Sequence, residues 1–243
     1  MRIIKFGGTS IGTKERFRNV INIIVERKEK DNIAVVVSAI GGITNRLIAA
    51  IDLACKGRRE YEALLAEINS LHFEFLDSLV TGAGYFTARI EIEKILAGLD
   101  KKLKGVFLLG ECTPRVSDSV ITTGEHLSLK ILAASLNALG VHSVSLEAEE
   151  FIKTNSNFGE AEVDFETTNE LIKRKFSLLS EDAIPVINGF TGTDSEGNIT
   201  SLGRSGSDYT ATIIAGALRA DVVEIWTDVD GVLSADPKIV SAA

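Results

Sequence analysis

Two hydrophobic periods alternate along the chain. Ile33 to Val37 is a continuous apolar run rich in β-branched residues, as expected of a strand covered on both faces. Shorter runs at Ile3-Ile4, Val141 to Leu146, Ile184 to Asn188 and Val222 to Trp226 read the same way. Between them the period changes to that of a helix. Phe17, Val20, Ile21, Ile24 and Val25 fall at i, i+3, i+4, i+7 and i+8, which is one buried helical stripe. Further helices are predicted from about Ser119 to Leu139, Phe165 to Ser180 and Ser207 to Leu218, the last capped by Ser207 or Asp208. Thr193 to Asn198 is dense in turn formers and predicts the tip of a hairpin. The alternation predicts an α/β fold, with a mainly parallel sheet sandwiched by helices.

One block breaks the rhythm. Tyr61, Leu64, Leu65, Ile68, Leu71, Phe75 and Leu76 mark one long amphipathic helix, and Ile90, Ile92, Ile95, Leu96, Leu99 and Leu103 another. They predict a helical insertion around residues 44–104. His72 lies on the apolar stripe of the first of these helices and reads as a packed side chain.

Composition narrows the function. At 243 residues the chain can form one large α/β domain. A formal net charge of −8 argues against a nucleic-acid partner, which needs a basic face. An acidic ligand would then need individual cations in glycine-rich loops. The longest strongly apolar stretch, Ile33 to Ile40, is too short to span a membrane, and no signal-peptide core precedes the first strand. Cys55 and Cys112 are far apart in sequence and read as reduced packing residues of a cytoplasmic protein.

The chemistry concentrates where strands end. Lys5-Phe6-Gly7-Gly8-Thr9-Ser10 joins the first strand to the first helix. Glycines there allow close approach of a bound group, the lysine adds an ammonium, and the following helix is expected to aim its N-terminus at the same point. Neither G-x-x-x-x-G-K-[ST] nor G-x-G-x-x-G occurs, so a nucleotide would be held by another scheme. Gly41 to Asn45, Thr123-Gly124-Glu125, Gly203 to Asp208 and Thr227 to Val232 are further such turns. Arg204 suits bidentate capture of a carboxylate. Asp208 suits helix capping, orientation of a lysine, or a Mg²⁺-bound water.

These motifs recur, in this order and approximate spacing, in aspartate kinases. The chain resembles their catalytic domain, a member of the amino-acid kinase fold, over residues 1–243, and the stretch Leu103 to Ile131 looks closer to the bifunctional aspartate kinase–homoserine dehydrogenases. The resemblance implies transfer of the ATP γ-phosphoryl group to the β-carboxylate of L-aspartate, with ATP and Mg²⁺ required and no protein-bound metal cluster. It implies that Lys5, Phe6, Gly7, Gly8, Thr227, Asp228 and Lys238 serve the nucleotide. Thr44, Glu125, Arg204 and Ser207 would hold aspartate, Glu125 reading its amino group and Arg204 its α-carboxylate. Lys5 and Asp208 would be catalytic. A homodimer is what the family suggests.

Some positions depart from the pattern. Ser205 stands where many members have glycine, and a φ > 0 there would cost about 1 kcal/mol. His126 replaces the usual Arg or Lys, Leu233 a tyrosine and Lys238 an arginine. The family's kinase domain continues past residue 243 and regulatory domains follow, so the chain is expected to be truncated at its C-terminal end. The competing expectations are an acyl-phosphate kinase for glutamate or acetylglutamate, and a non-catalytic unit that binds aspartate or dimerises.

Overall fold

The structure is a computed structural model and describes residues 1–227. Asp228, Leu233 and Lys238, which carry part of the expected nucleotide contact, lie outside the described residues. The chain runs β1 (Arg2–Phe6), α1 (Lys14–Lys28), β2 (Ile33–Val37), then five consecutive helices: α2 (Ile43–Cys55), α3 (Tyr61–Leu79), α4 (Gly84–Leu109), α5 (Pro114–Ile121) and α6 (Thr123–Ala138). It continues through β3 (Ser143–Leu146), a 3₁₀ turn at Ala148–Glu150, α7 (Phe165–Ser177), β4 (Ile184–Asn188), the hairpin β5 (Thr191–Thr193) and β6 (Ile199–Ser201), α8 (Gly206–Leu218) and β7 (Val222–Trp226).

Five strands form a parallel sheet in the order β3-β4-β2-β1-β7. Alternation along each strand divides the interior in two. Ile4, Phe6, Val35, Val37 and Val186 pack with α1, α6 and the helical block, whereas Ile3, Ala34, Val36 and Ile187 pack with α8 and α7. Each fully buried aliphatic side chain contributes roughly 1.5–3 kcal/mol, so the β2 strand, buried at all five residues, anchors both layers. Helices α3 and α4 cover α2 and α6, forming an outer layer. His72 on α3 is fully buried, with Nδ1 2.7 Å from the Ile68 carbonyl oxygen, and burial pushes its pKa down to about 4. It is a packed side chain.

Local chemistry sets the ends. Thr13 caps α1 by accepting from the Arg16 N–H at 3.2 Å, and Arg27 and Lys28 lie in its last turn, where the dipole favours cations. Thr113 caps α5 ahead of Pro114, which has the φ an initial turn needs.

Two expectations need correction. The helix expected from Ser119 to Leu139 starts earlier and bends at Thr122, separating α5 from α6. The Thr122 and Thr123 hydroxyls donate back to the carbonyls of Asp118 (2.8 Å) and Ser119 (3.4 Å), which loosens the helix there. The helical block is accordingly longer than residues 44–104. The cap of α8 is neither Ser207 nor Asp208 but Ser205, at φ 57° and with no side-chain cap bond. As expected, Cys55 and Cys112 are both free thiols; the fold brings them near each other, and burial together with Cys55 raises the Cys112 pKa.

Close packing at the start of α6 is unforgiving. A Cβ on Gly124 would stand 2.7 Å from the Ala39 Cβ and 3.0 Å from the Ile43 Cγ2. Gly124→Ala is therefore expected to destabilise the fold by roughly 1–3 kcal/mol, read as a lower urea midpoint at unchanged m-value.

Candidate functional site

The strand register brings the exits of β1, β2 and β7 to one level, with Phe6 opposite both Val37 and Trp226. A cavity of about 480 Å³ opens at this C-terminal edge, where parallel sheets place their ligands. Lys5, Gly7 and Gly8 line it from β1, Gly42, Thr44 and Asn45 from the entry to α2, and Glu125 from α6. Phe190 follows β4, Gly203 to Ser207 lead into α8, and Thr227 follows β7. The sequence-predicted residues Lys5, Gly7, Gly8, Thr44, Glu125, Arg204, Ser207 and Thr227 thus share one cavity.

Two other predicted residues stand differently. Asp208 meets the site through Lys5: Nζ is 2.5 Å from Oδ1, and the Lys5 side chain is only 10% exposed. The contact is an ion pair that fixes the Lys5 ammonium at the cavity. The Phe6 side chain is fully buried among the core residues, its ring centroid 5.9 Å from that of Trp226, and does not line the cavity. A strand sends successive side chains to opposite faces, so the Phe6 side chain points away from the face that Lys5 occupies.

The helix N-termini at the cavity belong to α2 and α8. That of α1 was expected there, but bonds from Ser10, Ile11 and Gly12 back to Gly7, Gly8 and Thr9 form an intervening coil, and Thr13 and Lys14 are not among the lining residues. Gly42, at φ 84°, and Ser205 start α2 and α8 from left-handed conformations. The first N–H of each helix bonds back into the turn before it, from Ile43 to Ile40 and from Gly206 to Gly203, and the N–H groups that follow are presented with the positive dipole end. With Lys5 and the exposed Arg204, they make most of the cavity wall suited to anions.

Glu125 is the exception. It is buried in the first turn of α6, and Oε2 has no hydrogen-bond partner. Burial pushes its carboxyl up to about 7, against the N–H groups of Ala39 and of its own backbone and the charge of His126. An acid so placed can receive a protonated amine. Sequence reasoning missed Phe190, whose backbone stands at φ 74° and whose ring edge would lie 2.6 Å from a Cβ on Gly206. Its place directly after a predicted strand, in Asn188-Gly189-Phe190, was the available signal.

Among the described residues no cluster of three or more His, Cys, Asp or Glu side chains is arranged to hold a metal, and no helix is long and apolar enough to cross a membrane.

A model of the amino acid kinase family matches residues 1–243. The chain belongs to this family. Among curated relatives, lysine-sensitive aspartokinase 3 of Escherichia coli is 33% identical over 241 residues, covering 99% of this chain and 52% of that protein. Aspartokinase 3 of Arabidopsis thaliana (chloroplastic) is 36% identical over 248 residues, covering 99% of this chain and 43% of that protein. A bifunctional aspartokinase/homoserine dehydrogenase of Buchnera aphidicola is 32% identical, covering 100% of this chain and 30% of that protein. The chain therefore spans about half or less of the length of these relatives. Its fold superposes on E. coli aspartokinase III solved with aspartate and ADP at a TM-score of 0.88, with 31% identity over 100% of this chain and 52% of that one. An isopentenyl phosphate kinase, 17% identical with a TM-score of 0.52 over 98% of this chain and 76% of that one, shares the fold alone.

The raised pKa of Glu125 has a stability consequence. The folded chain holds that proton more tightly than the unfolded one, so its stability contribution falls as pH rises from about 4.5 to 7 and then stays level. Glu125→Gln removes this fall. The unfolding free energy of the variant relative to wild type should rise by on the order of 3 kcal/mol between pH 4 and 8, measured by denaturant titration without ligand.

Proposed function

We propose that the chain is the catalytic unit of an aspartate kinase, transferring the γ-phosphoryl group of ATP to the β-carboxylate of L-aspartate to give 4-phospho-L-aspartate. One observation carries this reading: a single cavity joins an anion-binding wall, built by Lys5, the Gly7-Gly8 turn, Arg204 and two helix N-termini, to a buried acid with an unpartnered oxygen. An amino acid with a free ammonium and two carboxylates complements that charge pattern. Similarity to E. coli aspartokinase III, solved with aspartate and ADP, supports it.

The chemistry fits the inventory. The β-carboxylate is already ionised at neutral pH, so the nucleophile needs no general base. Phosphoryl transfer instead requires in-line positioning and positive charge around the γ-phosphoryl oxygens. Arg204 and Ser207 at the start of α8 hold the α-carboxylate, Glu125 takes the ammonium, and Thr44 contacts the substrate from α2. Lys5, fixed by Asp208, supplies charge with the N–H group of Gly8, that of Gly7 being bonded to the Trp226 carbonyl. Thr227 reaches the nucleotide from β7, and the roles given to Asp228 and Lys238 complete that side.

A Mg²⁺ ion fits this donor set in the manner usual for kinases, with one protein carboxylate and the rest of its shell from phosphates and water. Asp208, in the first turn of α8 beside Lys5, is the carboxylate that would hold it. Bound there with ATP, Mg²⁺ would neutralise charge on the phosphates.

Aspartyl phosphate trapped with hydroxylamine, in the presence of ATP and Mg²⁺, tests the reading directly. Lys5→Ala should lower kcat by on the order of 10²–10³-fold with the fold intact. Arg204→Ala should act mainly on KM for aspartate, raising it about 10- to 100-fold, as loss of a charge-assisted pair does. Phosphate transfer to glutamate or acetylglutamate in preference to aspartate would move the assignment to another acyl-phosphate kinase. Stabilisation by aspartate with no transfer at all would leave a binding unit.

A further inference from the structure

A second cavity, of about 360 Å³, lies between α4 and α6 and shares no lining residue with the one described above. Its walls are two helix faces. Lys94, Gly98 and Lys102 recur at every fourth residue of α4 with Ile95 beside them, and Thr123, His126 and Lys130 follow at steps of three and four on α6. Ser119, Glu147 and Ile199 complete the lining with Glu91.

The lysines are the informative part. Lys102 is half-buried, and its Nζ donates to the Ser119 carbonyl oxygen at 2.6 Å. Among the described residues no carboxylate pairs with it, so two of its three N–H groups lack a protein acceptor. Burial lowers its pKa, with no neighbouring acid to offset the effect. Lys94 stands exposed at the rim, also without a carboxylate partner. The Lys130 side chain is only 15% exposed, and Glu147 Oε1, 3.1 Å away, occupies its ammonium in part.

The other charges facing the space are largely spent. His126 Nδ1 lies 2.9 Å from the Thr122 carbonyl oxygen and Nε2 lies 2.8 Å from Glu149 Oε1. The ring therefore donates twice, and Glu149 balances its charge. Glu147 is engaged by Lys130. Glu91 is exposed and also lines a neighbouring groove beside Gly82 and Ala88, where water and salt screen it. Lys94 and Lys102 outweigh it. The result is a positive concavity in a chain whose formal net charge is −8.

We propose that this cavity binds a small organic anion, its carboxylate or phosphate group held by Lys102 with Lys94 and Lys130, and its short apolar body lying against Ile95, Gly98 and Ile199. Such a group supplies the acceptors that Lys102 lacks, as charge-assisted bonds in a partly desolvated place. Gly98 keeps the room: a Cβ there would meet no atom within 4 Å, although glycine in the middle of α4 sacrifices helix propensity. The volume is within the range of small-molecule sites. None of these residues has a part in the proposed phosphoryl transfer, so the inference is independent of the aspartate assignment.

A ¹H–¹⁵N NMR titration of the ligand-free protein, at constant ionic strength, tests it with inorganic phosphate, glutarate and neutral glutaramide. The amides of Gly98 and Thr123 report this cavity, and those of Gly8 and Gly42 report the other. Anion taken up at the Lys5 wall is thereby kept apart. Phosphate or glutarate should shift Gly98 and Thr123 saturably, and glutaramide should not. Whichever anion acts at lower concentration names the charged group. Lys102→Met should weaken binding about tenfold or more, as loss of a charge-assisted bond does. Gly98→Leu fills the space without touching a charge and should abolish binding, with the helix content of the fold retained.

Shifts at Gly98 and Thr123 that never saturate, or saturable shifts that survive both substitutions, overturn the proposal. Should Lys102→Met fail to fold, Gly98→Leu decides by itself, because its Cβ meets no neighbour. Failure of the aspartate kinase assay would leave these shifts in place, and their absence would leave that assay untouched.

Discussion

Contact of backbone with backbone at the C-terminal edge of the sheet is the constraint on which the site depends. A Cβ at Gly8 would lie 2.9 Å from the Ala39 carbonyl oxygen, and one at Gly41 would lie 3.0 Å from the Gly8 carbonyl oxygen. The turns leaving β1 and β2 therefore interlock, and neither can carry a side chain without separating. Because they interlock, the Gly7-Gly8 turn and the start of α2 line one volume. The same closeness recurs across the cavity, where a Cβ on Gly189 would fall 2.6 Å from the Ser207 Cβ. The anion-binding wall follows from these contacts, since dipoles and N–H groups act only over short distances.

Within that frame the charges are deliberately unequal in their satisfaction. Lys5 and Asp208 neutralise one another, and His126 and Glu149 do so behind the cavity. Glu125 has no such partner among the side chains lining the cavity, and one of its oxygens has no donor at all. A buried group left incomplete destabilises the empty protein. Such a defect is tolerable where a ligand completes it. That asymmetry singles out Glu125 from the other buried carboxylates more clearly than burial alone, since Asp118 is as deeply buried but accepts three hydrogen bonds.

The strands were legible in the sequence because a parallel strand covered on both faces is a continuous apolar run, and β2, β4 and β7 match the predicted spans. The glycine-rich turns were legible as a set because each ends such a run. What was not legible depends on events that leave no period. The bend at Thr122 leaves the apolar stripe unbroken on either side, and only hydroxyl bonds to the preceding turn create it. Phe6 was grouped with its neighbours in a motif, although strand alternation alone sends it to the opposite face from Lys5. Ser207 and Asp208 were read as caps by their residue types, but α8 begins before them and turns them towards Gly189 and Lys5. The His126–Glu149 pair joins residues 23 positions apart that only the tertiary fold brings together.

Strain marks the same wall. Among the described residues, three that are not glycine have positive φ: Phe190, Ser205 and Arg219. Arg219 ends α8, whereas the other two flank the turn that carries Arg204 into the cavity. Conformations of this kind cost of order 1–3 kcal/mol each and persist only where surrounding bonds over-determine them. Those bonds are present. Phe190 accepts from the Leu202 N–H at 2.8 Å, and its own N–H donates to Thr210 Oγ1 at 3.0 Å. One residue earlier, Ser201 is fixed by the Asp118 carboxylate through both its N–H at 2.8 Å and its hydroxyl at 2.9 Å. The turn is thus held at both ends before any ligand arrives. For phosphoryl transfer this matters more than added charge, because a cationic wall accelerates the reaction only insofar as it need not reorganise when the transition state forms.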